Sequence, residues 1–223
     1  MKQRFKAIIF DLDGTIADTL PLCIAAFKKS IEPLLGKAVS DAEIIATFGP
    51  SEEGTIRKLI PLQEKAGVRS YLEHYQELHH SCPAPFSGIK ELLATLAHRN
   101  VKLAMVTGKG KHSTRISLQQ FGLTAYFNVL ETGSPDGPNK IKGIRSVLKH
   151  LNAHAEECLY VGDAPSDILY CKEIGIPIAA AAWASTADIA TLQGLHPEWL
   201  FRSVSELHSW VLDSLSYQLP TWF

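Results

Sequence analysis

Hydrophobic positions along this chain follow two rhythms. Short apolar runs that stop at turn-forming or charged residues recur as AIIF (7–10), LAMV (103–106), FNVL (127–130), CLYV (158–161) and PIAAAA (177–182). Unbroken runs of this length suit strands buried on both faces, so they predict a parallel sheet. Between them the apolar residues space out by three and four. Ile89, Leu92, Leu93 and Leu96 share one helical face, and so do Ile141, Ile144, Leu148 and Leu151. Gly122 and Gly175 stand where two helices would end, since glycine readily takes the left-handed conformation that closes a helix. Ser203 and Glu206 have the spacing of a capping box, opening a last helix that turns Leu207, Trp210 and Val211 inward. Strand and helix alternate from about residue 88 onward, which predicts an α/β fold with a doubly wound parallel sheet.

Residues 17–84 break the alternation. Ile24, Phe27, Ile31 and Leu34 form a helical stripe ended by Gly36, Ser40 and Glu43 have capping-box spacing, and helical stretches follow at 52–60 and 63–80. The expected organisation is an α/β core of residues 1–16 and 85–223 with a helical domain, 17–84, inserted after the first strand. Pro83, Pro85 and Gly88 mark the return to the core. An insertion at that point sits over the edge where α/β sheets bind ligands.

Charge enters where the apolar runs stop. The first strand runs into Asp11 and Asp13, the second into Thr107 and Gly108, and the fourth into Gly162 and Asp163, with Asp167 soon after. In a doubly wound sheet these ends share one edge, so Asp11, Asp13, Thr107, Asp163 and Asp167 would meet in one crevice. A solvated Asp-Gly turn would account for Asp13 and Gly14 alone, but not for acids at two strand ends. A calcium loop fails on spacing, because Gly14 is fourth from Asp11 and the twelfth position is Leu22. Gathered carboxylates need a compensating cation, and an all-oxygen set favours Mg²⁺. Mg²⁺ keeps waters and binds phosphate, so a small phosphorylated substrate follows. Thr107 and the adjacent backbone N–H groups would suit its oxygens, and a lysine would help neutralise it.

Composition narrows the partners. The chain has 223 residues, 20% of them charged, and a net charge of −1, which gives no basic footprint for nucleic acid. No apolar run has the length of a membrane span, and the run before Asp11 is too short for a secretion signal. Cys23, Cys82, Cys158 and Cys171 are scattered without a CxxC pair, so neither zinc nor a disulfide framework is expected. A cytoplasmic, reducing location is expected, with no nucleic-acid or membrane partner, and the oligomeric state is left open.

Four motifs in order resemble the haloacid dehalogenase superfamily of phosphatases and phosphotransferases. They are 8-IFDLDGTIADT-19, the Thr of 105-MVTGKG-110, a lysine before the penultimate strand, and 161-VGDAPSD-167. The helical insertion resembles the family's small cap over a Rossmann-like core, and the tail 183–211 is similar in layout to phosphoglycolate-phosphatase-like members. The resemblance implies that Asp11 is the nucleophile, forming an aspartyl-phosphate, and that Asp13 is the general acid and base. It implies Mg²⁺ held directly by Asp11 and Asp163 with the backbone carbonyl of Asp13, Asp167 ligating the ion or orienting its bound water, and phosphate held by Thr107 and Gly108. An Asp at position 13 disfavours dehalogenation. It leaves a phosphomutase as the alternative enzyme, and a binding module without turnover as the alternative outside catalysis.

The third motif departs from the family pattern. Many relatives have Lys-Pro before the helix, whereas 133-GSPDGPNKIKGI-144 has none, and the usual position falls near Pro138. Lys140 is favoured for this phosphate-binding role over Lys142. The run 108-GKGKHST-114 is not a Walker A loop, and Lys109 reads best as a solvated loop lysine. His79 and His80 read as a surface helix end, since neighbours on a helix point apart. In the insertion, Gly49, Ser51 and Arg57 are candidates for choosing the leaving group, and Trp183 and Trp210 for packing or lining the rim.

Overall fold

The computed structural model describes residues 5–216. The basic start at Lys2 and Arg4 lies outside the described residues. A six-stranded sheet runs in the order β3-β2-β1-β4-β5-β6, every pair parallel. Its strands are β1 (Ala7–Phe10), β2 (Lys102–Val106), β3 (Val129–Glu131), β4 (Cys158–Gly162), β5 (Ile178–Ala181) and β6 (Trp199–Phe201). β1 lies between β2 and β4, with Phe10 level with Met105 on one side and Val161 on the other. The chain steps outward to β3 on one side of this point and to β5 and β6 on the other, so the crevice beside β1 is the topological switch point.

The pleat explains the unbroken apolar runs. Ile8 and Phe10 belong to one buried cluster, Ala7 and Ile9 to another, on opposite faces. The first face is covered by α5 (Ile89–His98), α6 (Lys111–Phe121) and α10 (Val204–Ser216), which contribute Leu92, Phe121 and Leu207. The second is covered by α7 (Lys140–Leu151), α8 (Pro165–Ile174) and α9 (Ile189–Gly194), with Ile144, Ile168 and Leu192. Each such side chain contributes about 1.5–3 kcal/mol on burial.

Between β1 and α5 the described chain is helical, with α1 (Leu20–Leu35), α2 (Asp41–Ile45), α3 (Glu52–Leu59) and α4 (Glu64–Leu78). α1 packs on α4 through Phe27 and Tyr71, whose ring centroids are 4.5 Å apart. Gly36 closes α1 at φ 66°, and Ser40 and Glu43 form the reciprocal capping box at α2. No helix among the described residues is long and apolar enough to cross a membrane.

Several details differ from the sequence pattern. β3 starts two residues later than FNVL suggests. Phe127 turns edge-on to Phe10, and although the Asn128 N–H donates to the Leu103 carbonyl at 2.8 Å, the Leu103 N–H is taken by the Asn128 side chain instead of a strand carbonyl. β6 is the three-residue apolar run WLF, too short to stand out in the sequence pattern. In α7, Val147 is buried in place of the expected Ile141. Trp210 packs against Phe5, Trp199 and Phe201, away from any rim.

Candidate active site

β1 delivers Asp11 at its carboxyl end, where its N–H continues the ladder to the Val161 carbonyl at 2.9 Å. The chain then turns tightly, with Gly14 N–H donating to the Ala17 carbonyl. Gly14 sits at φ 77°, and a side chain there would run into the Asp163 carboxylate. Glycine therefore lets the ends of β1 and β4 approach each other. Thr15 ties them together, its hydroxyl donating to Asp163 Oδ1 at 2.9 Å.

Asp11, Asp163 and Asp167 bring carboxylate oxygens within 4.8 Å of one another. Asp167 accepts from the Ala164 N–H at the start of α8 and is almost wholly buried. Lys140, at the first turn of α7, donates to Asp11 Oδ2 at 2.8 Å and to Asp167 Oδ1 at 2.7 Å. Burial disfavours its ammonium, but Asp11 and Asp167 outweigh burial and hold its pKa well above the usual lysine value. Lys142 is exposed. One ammonium does not balance three acids. Burial pushes Asp11 up to about 6, with Asp167 and Asp13 adding to the rise against the pull of Lys140. Burial, with Asp11 and Asp167 nearby, likewise holds Asp163 well above the ordinary carboxylate range. Asp11 Oδ1 is buried with no partner. An orphaned oxygen within an all-oxygen acidic set fits a hard divalent cation such as Mg²⁺.

Asp13 points the other way. Its carboxylate stands outside the acidic group and accepts from the Thr19 hydroxyl and from Lys109 Nζ at 3.1 Å. Lys109 is not a solvated loop lysine. It is 6% exposed, lies 4.5 Å from the centre of the Tyr75 ring and 2.9 Å from Cys23 Sγ. Burial opposes its charge, but Asp13 and its other neighbours keep its pKa well above the usual value.

A cavity of about 340 Å³ joins these groups, lined on one side by Asp11, Asp13, Thr107, Gly108, Lys140 and Asp163. Asp167 is not part of the lining and reaches it through Lys140. Thr107 is buried at the end of β2, and its hydroxyl oxygen accepts from the Lys109 N–H at 3.2 Å. Trp183 reaches this edge, its indole N–H donating to the Thr15 carbonyl at 3.1 Å.

The inserted helices form the other wall. Gly49 lines the cavity. Ser51 lies just behind it, buried and without a partner for its hydroxyl. Arg57 does not face the cavity. It is exposed and pairs with Glu64 and Asp136, each at 3.2 Å. Helical period explains the outward turn, since Glu52, Thr55 and Ile56 hold the buried face of α3. Glu52, which sequence reasoning passed over, lines the cavity and accepts from the Gly110 N–H and the Ser113 hydroxyl. His79 is also not at the surface. It is buried edge-on to Tyr75 and Phe121 and 3.1 Å from the Ser117 hydroxyl, while His80 is exposed.

Comparison with known proteins agrees with this geometry. Residues 8–181 match the model of the haloacid dehalogenase-like hydrolase family. A pyrophosphatase PpaX from Oceanobacillus iheyensis is 27% identical over 96% of this chain and 100% of its own. Another PpaX, from Halalkalibacterium halodurans, is 29% identical over 92% of this chain and 96% of its own. Among solved structures, a haloacid dehalogenase-like hydrolase from Streptococcus pneumoniae superposes with a TM-score of 0.75 at 24% identity, covering 94% of this chain and 99% of its own. CbbY from Rhodobacter sphaeroides, solved with phosphate, gives 0.76 at 19% identity over 91% and 96%. With strand order, strand-end acids and family match in agreement, the chain belongs to the haloacid dehalogenase-like hydrolase family.

Proposed function

We propose that this chain is a Mg²⁺-dependent phosphatase of a small phosphorylated metabolite, acting through an aspartyl-phosphate on Asp11. The observation that carries this is the Asp11 carboxylate. It lines the cavity, has one oxygen engaged by Lys140, and keeps the other buried without a partner.

Thr107, Gly108 and Lys140 bind and orient the phosphoryl oxygens. Asp11 attacks phosphorus, the bond to the leaving oxygen breaks with its electron pair, and Asp13 gives that oxygen a proton. Asp13 then takes a proton from water as the water attacks phosphorus, which releases inorganic phosphate and restores Asp11. Asp11, Asp163 and Asp167, with the Asp13 carbonyl, would hold Mg²⁺, which would supply charge neutralisation for the acids and the incoming phosphate. The helices of residues 17–84 act as a cap over a core of 1–16 and 85–223, and choose the leaving group. Phosphoglycolate-like esters, nucleotides, sugar phosphates and pyrophosphate are the candidate classes, and pyrophosphate takes support from the names of the PpaX relatives. The four free buried cysteines fit work in the reducing cytoplasm.

The test is a panel of phosphate esters with Mg²⁺, read by inorganic phosphate release and by trapping phosphate on Asp11. Isomer formation without release would point to a mutase. No turnover of any ester, with ligand binding unchanged in Asp11→Asn, would sink the enzymatic reading.

A further inference from the structure

The cavity's far wall differs in kind from its catalytic wall. It is built from Leu20 and Phe27 of α1, Phe48 and Pro50 of the loop before α3, and Tyr71 of α4. Phe27 meets both Phe48, 6.0 Å away, and Tyr71, 4.5 Å away, with rings tilted by 40°. Phe48 remains 39% exposed. This is an aromatic surface with room beside it.

Among the described residues the cavity lining offers no unpaired cation. Both ammonium groups that line the cavity are engaged, Lys140 by Asp11 and Asp167, and Lys109 by Asp13. One place suited to an anion beside this wall is the start of α6, where the Gly110 N–H and the Ser113 hydroxyl lie at the positive end of the helix. That place is filled from within the chain by the Glu52 carboxylate, held by the Gly110 N–H and the Ser113 hydroxyl. Position 110 is made for this approach. A Cβ there would lie 2.7 Å from Glu53 Oε2 and 2.9 Å from Glu52 Oε2, closer than side chains tolerate.

We propose that Glu52 is a specificity-determining residue which occupies the anion site of α6, so that the substrate is a phosphate monoester with an uncharged leaving group of apolar or aromatic surface. A leaving group bearing a second phosphate or a carboxylate meets a fixed carboxylate and no free cation. An aromatic or aliphatic group instead buries its surface against Phe48, which Phe27 and Tyr71 back from within the core. This rests on the phosphatase reading and narrows it against pyrophosphate and phosphoglycolate.

The experiment uses the full chain with Mg²⁺ at pH 8.5, above the value of about 7 to which burial pushes Glu52, so that its carboxylate is charged, and compares kcat/KM for benzyl phosphate, pyrophosphate and phosphoglycolate. Benzyl phosphate is expected to exceed both others by about tenfold or more. Glu52→Gln keeps the shape and removes the charge, and is expected to shift the ratio toward the doubly anionic substrates by about tenfold. Equal or faster turnover of pyrophosphate or phosphoglycolate by the unaltered chain overturns the proposal, as does an unchanged ratio in Glu52→Gln. Calorimetry with benzylphosphonate and phosphonoacetate reads the same preference without turnover. If no ester is hydrolysed, the phosphatase reading fails, and the wall's preference is still decided by which phosphonate binds more tightly. Tighter phosphonoacetate binding overturns the proposal.

Discussion

Lys109 Nζ stands 3.1 Å from Asp13 Oδ1, in a pocket where the lysine side chain is 3% exposed. The ammonium fixes the carboxylate that we propose as general acid and base. The Asp13 side chain left behind is 28% exposed and partly solvated, so Lys109→Met should destabilise the protein by about 1–2 kcal/mol in urea unfolding. Asp13→Asn in the same chain should recover part of that loss. Strict additivity in the double-mutant cycle would mean the two groups do not interact.

Asp11→Asn should lower phosphate release by about 10³-fold or more, because the amide cannot form the phosphoryl bond. The covalent phosphate seen on the unaltered chain in acid-quenched samples should disappear. Persistence of label would move the nucleophile elsewhere.

Of the two lysines at the start of α7, only Lys140 contacts the acids. Lys140→Ala should therefore reduce kcat/KM by about 10²-fold or more, while Lys142→Ala should stay within about twofold. Steady-state kinetics on both variants would expose the reverse order.

Chelation with EDTA should abolish turnover, and Mg²⁺ should restore it. Saturating Mg²⁺ at about 100 times its Kd should stabilise the fold by about 2.7 kcal/mol, visible as a rise in Tm. Asp163→Ala should remove that rise. A Tm indifferent to Mg²⁺ in the unaltered chain would argue against the acidic group as a metal site.

Burial pushes the Glu52 carboxyl up to about 7 from an ordinary 4.5, with Lys109 pulling down and Glu53 adding to the rise. Across that window the unfolded chain releases the proton first and so binds fewer protons than the folded one. Stability therefore falls as pH rises from 4.5 toward 7, and the loss is complete above it. Glu52→Gln does not titrate, so its stability relative to the unaltered chain should grow between pH 5 and pH 8, by at most about 3 kcal/mol. Parallel urea curves at the two pH values would refute this.

The sequence exposed the elements whose physics is local. β1, β2 and β4 are buried on both faces, and an unbroken apolar run is the direct consequence. The acids that end β1 and β4 were legible because the polarity change falls where a strand leaves the core. β6 was hidden because three residues of an edge strand carry no periodic signal. Lys109 and His79 were misread for a shared reason. Their burial is produced by partners distant in the chain, Asp13 and Tyr75 for the lysine and Ser117 and Phe121 for the histidine. Arg57 was within reach of the sequence, since the three- and four-residue spacing of Glu52, Thr55 and Ile56 already turns it outward. Glu52 needed the fold, because its donors belong to another helix.

The central place of β1 also sets the order in which this protein can mature. Its first strand has both neighbours far along the chain, β2 on one side and β4 on the other. A chain emerging N-terminus first presents Asp11 and Asp13 long before Lys140 and Asp163 have been made. Asp163 can join Asp11 only once β4 pairs with β1, so the gathering of charge waits on that pairing. Non-local pairing of this kind is slow to form. A nascent or truncated chain ending before β4 would therefore hold the whole helical insertion and the first motif, yet have no site to protect or to poison.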